Sequence, residues 1–324
     1  MTSTIYLDEK YSTTRLLTQD KPEIINNSED KFESVLFLPM GENRKGEGGL
    51  RTKGYFKKSY EDKPLISIIT VVFNGEQYLE ETIQSVINQT YDNVEYIIID
   101  GGSTDGTLEI IKKYEDKIDY WVSERDSGIS DAFNKGIRTA NGKLVGLINA
   151  DDWYEKSTVE LVVINYLKNY EGVYCGELKY WKGHQPIYVV KSNPERIYQE
   201  MTINHPTVFM SKSIYKSIGL FSLSCKYAMD YDLLLKVFVM DYKFYNVKAL
   251  LANMSFDGVS DINWEKALIE VRDSKIANGI SKINAYQYYY FQLIRRRTRD
   301  VLIYLKLDSL VKFYRKKFSI NQKL

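Results

Sequence analysis

The sequence predicts an α/β fold organised on a parallel sheet, and three observations carry that expectation. Near-continuous β-branched runs recur along residues 65–149, as strands buried on both faces require. Segments of helical period separate them. Polar, Asp- and Gly-rich turns follow the runs. In order, LISIITVV (65–72) predicts a first strand. Residues 75–90 predict a helix, with Leu79, Ile83, Val86 and Ile87 at helical spacing. VEYIIID (94–100) predicts a second strand and TLEIIKKYED (107–116) a second helix. IDYWV (118–122) is a third strand. ISDAFNKGIRTA (129–140) is a helix stopped by Asn141-Gly142, and KLVGLIN (143–149) is a fourth strand. Strands alternating with helices of this length mean βαβ units.

The flanking regions are less regular. Residues 1–63 predict no independent fold. Val35-Leu36-Phe37-Leu38 suits a peripheral strand, and Gly- and charge-rich 41–59 suits a loop or wrapping arm. Beyond Asp152, residues 157–170, 211–218, 230–240 and 263–278 look helical. Residues 172–191 look like short strands and 243–256 strand-like. The tail from Tyr286 reads as one or two amphipathic helices. The expected organisation is an arm at 1–63, an α/β domain at 64–260 divided at 153/154, and a helical basic extension at 261–324.

Composition narrows the function. The 324 residues are 44% hydrophobic and 27% charged, with a net charge of +1, which suits a soluble globular chain and argues against a basic nucleic-acid module. Residues 291–324 hold ten Lys/Arg against two Asp, so any attraction to an anionic surface belongs to the tail. The two cysteines, Cys175 and Cys225, form no paired motif and suit a reducing cytosol. No apolar run approaches the ~18 residues of a membrane span. The first residues, MTSTIYLDEKYSTTRLL, are unlike a secretory leader. Two histidines are too few for a His-built metal site.

Ligands of open parallel sheets bind at the carboxyl ends of strands, and three such ends carry polar clusters: Phe73-Asn74-Gly75, Asp100 through Gly106, and Asn149-Ala150-Asp151-Asp152. The 100–107 loop is no phosphate cradle of the P-loop kind, because Thr107 stands where Lys is needed. Asp100 reads as a carboxylate accepting a base N–H or ribose hydroxyls. Asp105 reads equally well as a helix cap. Paired Asp151 and Asp152 repel unless a cation or donors lie between them, and hard oxygen ligands suit Mg²⁺ or Mn²⁺. A helix N-cap neutralised by Lys156 is the alternative.

SIITVVFNG, EYIIIDGGSTDGT, SERDSGISDAFNKGI and GLINADDWY, in this order and spacing over residues 65–153, resemble the nucleotide-sugar half of family-2 glycosyltransferases of the GT-A fold. Their flavour is that of bacterial enzymes building capsule, exopolysaccharide or lipopolysaccharide. A weaker likeness covers residues 205–235. The resemblance implies a GT-A sheet flanked by helices and an inverting, metal-dependent hexosyl transfer. The donor would be a nucleotide-sugar, UDP-sugar favoured, and the acceptor a glycan or lipid-linked glycan. It implies that Val72, Phe73 and Asn74 line the base and that Asp100 and Ser103 contact the nucleotide. Arg125, Asp126, Asp131 and Asn134 would reach toward the nucleotide. Asp151 would approach the ribose or donor sugar, and Asp152 would hold Mn²⁺ or Mg²⁺. Met229-Asp230-Tyr231-Asp232 resembles the family's base signature with Met229 where many members have Glu, so Asp230 is the expected base and Asp232 its alternative. His205 is poised between a structural role and the acceptor cleft, Trp153 between core packing and sugar stacking. Phe256-Asp257-Gly258-Val259-Ser260 resembles a loop near the diphosphate.

The resemblance implies a cytoplasmic enzyme without nucleic-acid partners. The basic run Arg295-Arg296-Arg297, Arg299 and Arg315-Lys316-Lys317, set among Leu302, Leu305, Leu310, Phe313 and Phe318, suits either the inner face of the membrane or packing against protein. Tyr286, Tyr288, Tyr289 and Tyr290 suit a homo-oligomer contact. Two other classes compete. A sugar nucleotidyltransferase would want a Gly-rich loop after the first strand, which FNGEQYLEE lacks. A non-catalytic nucleotide-sugar-binding module would tolerate loss of Asp152 or Asp230, yet both are present.

Overall fold

The β-branched runs of residues 66–149 become four adjacent parallel strands, because only a central position buries both faces of such a run. The computed structural model describes residues 4–41, 43–255, 263–307 and 310. The arm carries β1 (Leu17–Thr18), β2 (Gly46–Gly48) and β3 (Phe56–Lys57). The βαβ region runs β4 (Ile66–Val72), α1 (Leu79–Ile87), β5 (Val94–Asp100), α2 (Thr107–Lys113), β6 (Tyr120–Ser123), α3 (Ile129–Thr139) and β7 (Leu144–Asn149). Then come β8 (Trp153–Tyr154), α4 (Thr158–Asn169), β9 (Val173–Lys182), β10 (Gln185–Lys191), β11 (Phe209–Ser211), α5 (Lys212–Ile218), α6 (Met229–Val239) and β12 (Phe244–Ser255). Two further helices, α7 (Trp264–Ala277) and α8 (Lys282–Tyr304), form the C-terminal extension. The tail thus reads as one long helix as far as it is described.

The main sheet has the order β2-β6-β5-β4-β7-β11-β9-β12-β8, with β10 added to β9. Strands β6, β5, β4 and β7 are parallel, whereas β11 runs antiparallel to both its neighbours. The chain leaves β4 for β5 on one side and returns to β7 on the other. That reversal opens a crevice at the carboxyl ends of β4 and β7. Alternate residues face opposite layers. Ile69, Val71, Ile97 and Ile99 pack against α3, α5 and α6, while Ile66, Ile68, Val94 and Ile98 pack against α1, α2 and α4. The expected short strands of 172–191 are instead one hairpin. Gly183, at φ +56°, supplies the positive dihedral of its two-residue turn.

The arm departs from expectation. Residues 41–59 are more than a loop: β2 extends the sheet along β6, and β1 pairs with β3. Val35–Leu38 is no strand. Its amides bond singly, Val35 N–H to the Arg138 carbonyl and Leu38 N–H to the Tyr120 hydroxyl, so no ladder forms. Two buried arm cations fasten the segment. Lys57 donates to the Ser12 and Arg15 carbonyls, and Arg51 pairs with Glu95 of β5 at 2.5 Å. A chain beginning at Glu61 leaves Glu95 buried without its cation. It should lose at least about 3 kcal/mol of stability, read as a lowered urea midpoint; an unchanged midpoint would show that the arm is dispensable.

The loop 256–260 and the tail residues Phe313, Arg315, Lys316, Lys317 and Phe318 lie outside the described residues. Within α8, Arg296 and Arg297 stand over the Trp264 ring at 5.3 and 5.6 Å, so part of the basic run packs on α7. Its apolar Phe291, Ile294, Val301 and Leu305 are exposed. No helix among the described residues is long and apolar enough to cross a membrane.

Candidate active site

Hydrogen bonds stitch the loops after β4 and β5 together. Asn74, at φ 52°, accepts the Thr104 N–H on Oδ1 at 2.9 Å and donates its own N–H to Ser103 Oγ at 2.7 Å; Asn tolerates this left-handed conformation. Asp105 accepts the N–H groups of Glu76 and Thr107, each at 3.1 Å, so it ties the two loops to the first residue of α2. Asp100 is fully buried. Its oxygens accept the Ser103 N–H, the Ser103 hydroxyl and, at 2.5 Å, the Ser123 hydroxyl. In this structure the Asp100 oxygens are thus taken up by the loop and by Ser123. Asp100 organises the loop, and the surface it builds is what a ligand would meet.

That surface has a definite slot. Phe73 is 66% exposed, while Val72 is buried beneath. A side chain at Gly101 would lie 2.6 Å from Asp126 Oδ2 and 3.4 Å from the Phe73 ring. Glycine there keeps a gap between an exposed aromatic face and a carboxylate. Burial pushes Asp126 above the ordinary carboxylate range, and its Oδ1 accepts the Gly128 N–H. Asp131 accepts the Ser127 N–H at 3.0 Å and so shapes the same loop, and Arg125 is exposed on it. Asn134 differs from expectation. Its amide donates to the Phe221 carbonyl and accepts the Phe221 N–H, both at 2.9 Å, which commits both ends to holding the loop before α6. From the arm, Lys45 donates to the Gly102 and Ser103 carbonyls at 2.8 Å.

Asp151 and Asp152 sit in the turn after β7. Thr82 of α1 donates to the carbonyls of Ala150 and Asp152 and pins that turn. The next helix starts at Thr158, so neither acid caps it. Asp152 is 1% exposed, yet its Oδ1 has no hydrogen-bond partner, nor has the buried Asn149 Oδ1 beside it. Burial, reinforced by the Asp151 charge, holds Asp152 well above the ordinary carboxylate range. Asp151 reaches solvent and is raised by desolvation as well. Unpartnered buried oxygens are costly unless something fills them. Among the described residues no group of three or more His, Cys, Asp or Glu gathers that could hold a metal ion. Hard oxygens at the turn nevertheless fit a divalent cation whose shell is completed by ligand oxygens and water.

The second half brings Asp230 to this edge. Ser130 at the start of α3 bonds the Cys225 carbonyl and Met229 Sδ, and Asn134 bonds Phe221, so the amino end of α6 docks on that of α3. Asp230 Oδ1 lies 3.3 Å from His205 Nε2 without hydrogen-bond alignment. The His205 ring is held edge-on by Phe133 and Phe221. Burial raises Asp230, and His205 partly offsets it. Asp232 is a correction. Two residues along a helix point to different sides, and its Oδ1 accepts the Ser274 hydroxyl at 2.6 Å, facing α7 rather than the cleft. Trp153 is half-buried against Trp181.

One residue that sequence reasoning missed is Glu270 of α7. Its carboxylate accepts the N–H groups of Lys226, Tyr227 and Ala228, the residues leading into α6. It satisfies amides that a helix start leaves unpaired. No motif announces this, because the partners are 42–44 residues apart. A cavity of about 730 Å³ lined by Lys57, Leu65, Lys143 and Lys212 lies at the amino ends of β4 and β7, away from these residues.

A doubly wound sheet with a polar crevice at its carboxyl edge is the architecture of GT-A glycosyltransferases. Among solved structures the chain is similar to S. aureus TarS 1–349 in complex with UDP, with a TM-score of 0.52, 18% identity and 72% of each chain covered. It is also similar to the mannosyltransferase PcManGT of Pyrobaculum calidifontis in complex with GDP-Man and Mn²⁺, with a TM-score of 0.55, 15% identity, and 80% and 84% covered. The Glycosyl transferase family 2 profile matches residues 67–226. An uncharacterized glycosyltransferase of Rickettsia prowazekii (strain Madrid E) is 30% identical over 75% of this chain and 76% of its own. Bacillus subtilis TuaG, named for teichuronic acid biosynthesis, is 40% identical over 30% of this chain and 40% of its own. The chain belongs to glycosyl transferase family 2 and is a glycosyltransferase.

Proposed function

We propose that this glycosyltransferase is inverting and metal-dependent, and that it moves a sugar from a nucleotide-sugar, UDP-sugar favoured, onto a glycan or lipid-linked glycan of a surface polysaccharide. The observation that carries the reading is the buried Asp152 carboxylate with an unfilled oxygen at the carboxyl end of β7. The TarS complex with UDP supports the donor class, and the TuaG name supports the polysaccharide setting. The exposed apolar face of α8 supports a lipid-linked acceptor met at an anionic surface.

In this reading the base lies in the slot between Phe73 and Asp126, and Asn74 and Ser103 present the loop edge built by Asp100. Asp152, with Asp151 beside it, would hold a divalent cation that carries the charge of the departing diphosphate. Asp230 takes the proton of the acceptor hydroxyl as that oxygen bonds to the anomeric carbon and the bond to the diphosphate breaks. Glu270 holds the backbone that leads Asp230 into α6, and His205 stands 3.3 Å from its carboxylate.

The test is melting temperature with UDP-, GDP- and dTDP-sugars, with and without Mn²⁺. One nucleotide should raise it only with Mn²⁺, and Asp152→Asn should abolish that rise. A carboxyl raised by burial contributes stability only in its protonated form, below the unfolded value, and loses it as pH rises through the folded value. The ligand-free Asp152→Asn protein should therefore melt higher than the parent at pH 7. A nucleotide-dependent rise that survives the substitution would defeat the assignment.

A further inference from the structure

We propose that Trp153 and Trp181 form the floor on which a pyranose ring of the acceptor glycan stacks, a subsite that includes a residue, Trp181, far from the donor motifs. The inference rests on the reading that Asp151 and Asp152 mark the donor end.

The argument begins with strand alternation. The register shifts in the pairings of β9 fall on β10 and β12, so alternation along β9 is unbroken, and its even residues Tyr174 and Leu178 face the α1, α2 and α4 layer. A Cβ at Gly176 would meet Leu251 of that layer at 2.6 Å. The odd residues Val173 and Cys175 therefore point the other way, into the layer of α3, α5 and α6 that carries Asp230. Glu177, Lys179 and Trp181 continue that face beyond the helices and are each half-buried. Registration extends the face across neighbouring strands. Asn253 of β12 stands opposite Lys179, Ser255 opposite Trp181, and Trp153 of β8 opposite Asn253. Tyr154, the next residue, points into the opposite layer. Trp153 thus follows Asp152 directly and lies on the same side of the sheet as the proposed base.

The chemistry of this surface suits a saccharide. The indoles of Trp153 and Trp181 have centroids 5.7 Å apart and meet at 47°, an open corner rather than a stack. Trp181 Nε1 donates to Asn253 Oδ1 at 2.7 Å, and Asn253 Nδ2 donates to Glu155 Oε1 at 3.0 Å, so the platform is held rigid. Lys179 stands 5.7 Å over the Trp181 ring and 3.8 Å from Glu155. Glu177 and Lys191 add a second polar pair at 3.7 Å. A pyranose has an apolar C–H face that packs on an aromatic ring and a rim of hydroxyls that needs donors and acceptors. Rigid aromatic faces bordered by such groups supply both. Buried tryptophans serving only the core would join a hydrophobic cluster, and neither of these does.

The chain has four tryptophans, Trp121, Trp153, Trp181 and Trp264, which makes fluorine labelling decisive. The 5-fluorotryptophan protein gives resonances assigned by single Trp→Phe variants. It would be titrated with the methyl pyranosides of glucose, galactose, mannose and N-acetylglucosamine, and separately with UDP and Mn²⁺. A saturable shift of both Trp153 and Trp181 with at least one pyranoside, while Trp121 and Trp264 stay still, is expected. Trp181→Ala should weaken the Trp153 response by roughly two- to tenfold, and Trp181→Phe should retain it. If no pyranoside moves Trp181, or Trp264 moves as much, the inference fails. UDP with Mn²⁺ shifting Trp153 under those conditions would leave the donor reading standing, whereas no shift from either would remove that reading too.

Discussion

Asp230→Asn should lower kcat by about 10²–10⁴-fold, the contribution of a positioned general base, while nucleotide-sugar binding stays within about twofold of the parent. The two effects separate because Asp230 lies on α6 beside His205, whereas the proposed donor slot is built by the loops after β4, β5 and β6. The pH dependence follows from burial. In the proposed mechanism Asp230 works as a carboxylate, and desolvation, its largest influence, raises it above the ordinary value. Activity is therefore present above that raised value and falls as pH drops through it, so the acid limb of kcat/KM lies above the usual Asp range of ~3.9. His205 opposes the rise. His205→Gln should move the acid limb to higher pH. An acid limb unmoved by His205→Gln, or a kcat unchanged in Asp230→Asn, would remove Asp230 as the base.

Arg51→Ala should cost about 3–5 kcal/mol of stability, because it leaves a buried carboxylate without its partner. Arg51 and Glu95 are each 2% exposed at the side chain and lie 2.5 Å apart. The guanidinium also donates to the Leu36 and Thr139 carbonyls at 3.0 and 2.9 Å, so one side chain joins the arm, β5 and the end of α3. Burial alone would raise Glu95. Arg51, the Asn141 N–H and the Ser67 hydroxyl together outweigh it and hold the carboxyl below its usual range. A depressed carboxyl contributes stability above its unfolded value, ~4.3, and loses it as pH falls through the lower folded value. Urea midpoints of Arg51→Ala, Glu95→Gln and the double variant measure this. The double variant should be less destabilised than the sum of the singles. A cost below about 1 kcal/mol for Arg51→Ala would mean that the pair is not buried in solution.

Much of the catalytic half was legible along the chain. ISIITVV and VEYIIID can be satisfied only by burial on both faces, and helical spacing between them leaves little choice but parallel crossovers. The acids at 151 and 152 were conspicuous because they end such a run. Asp100 was legible as important but its partners were not: a carboxylate at a strand end carries no local sign of the Ser103 and Ser123 hydroxyls that it engages. Likewise nothing local announces that both ends of the Asn134 amide bind Phe221.

Local periodicity therefore determined the class of fold, polar side chains marked the carboxyl edge of the sheet as the candidate site, and four motifs in order carried the likeness to the family, since each depends on residues close together in sequence. Only tertiary structure decided which side chains remain available for chemistry. Asp230 came to face His205 while Asp232 turned to Ser274, Glu270 came to support α6, and Trp181 joined Trp153. Hydrogen-bond partners and strand register across tens of residues are set by packing, and a single sequence carries no local signal for them.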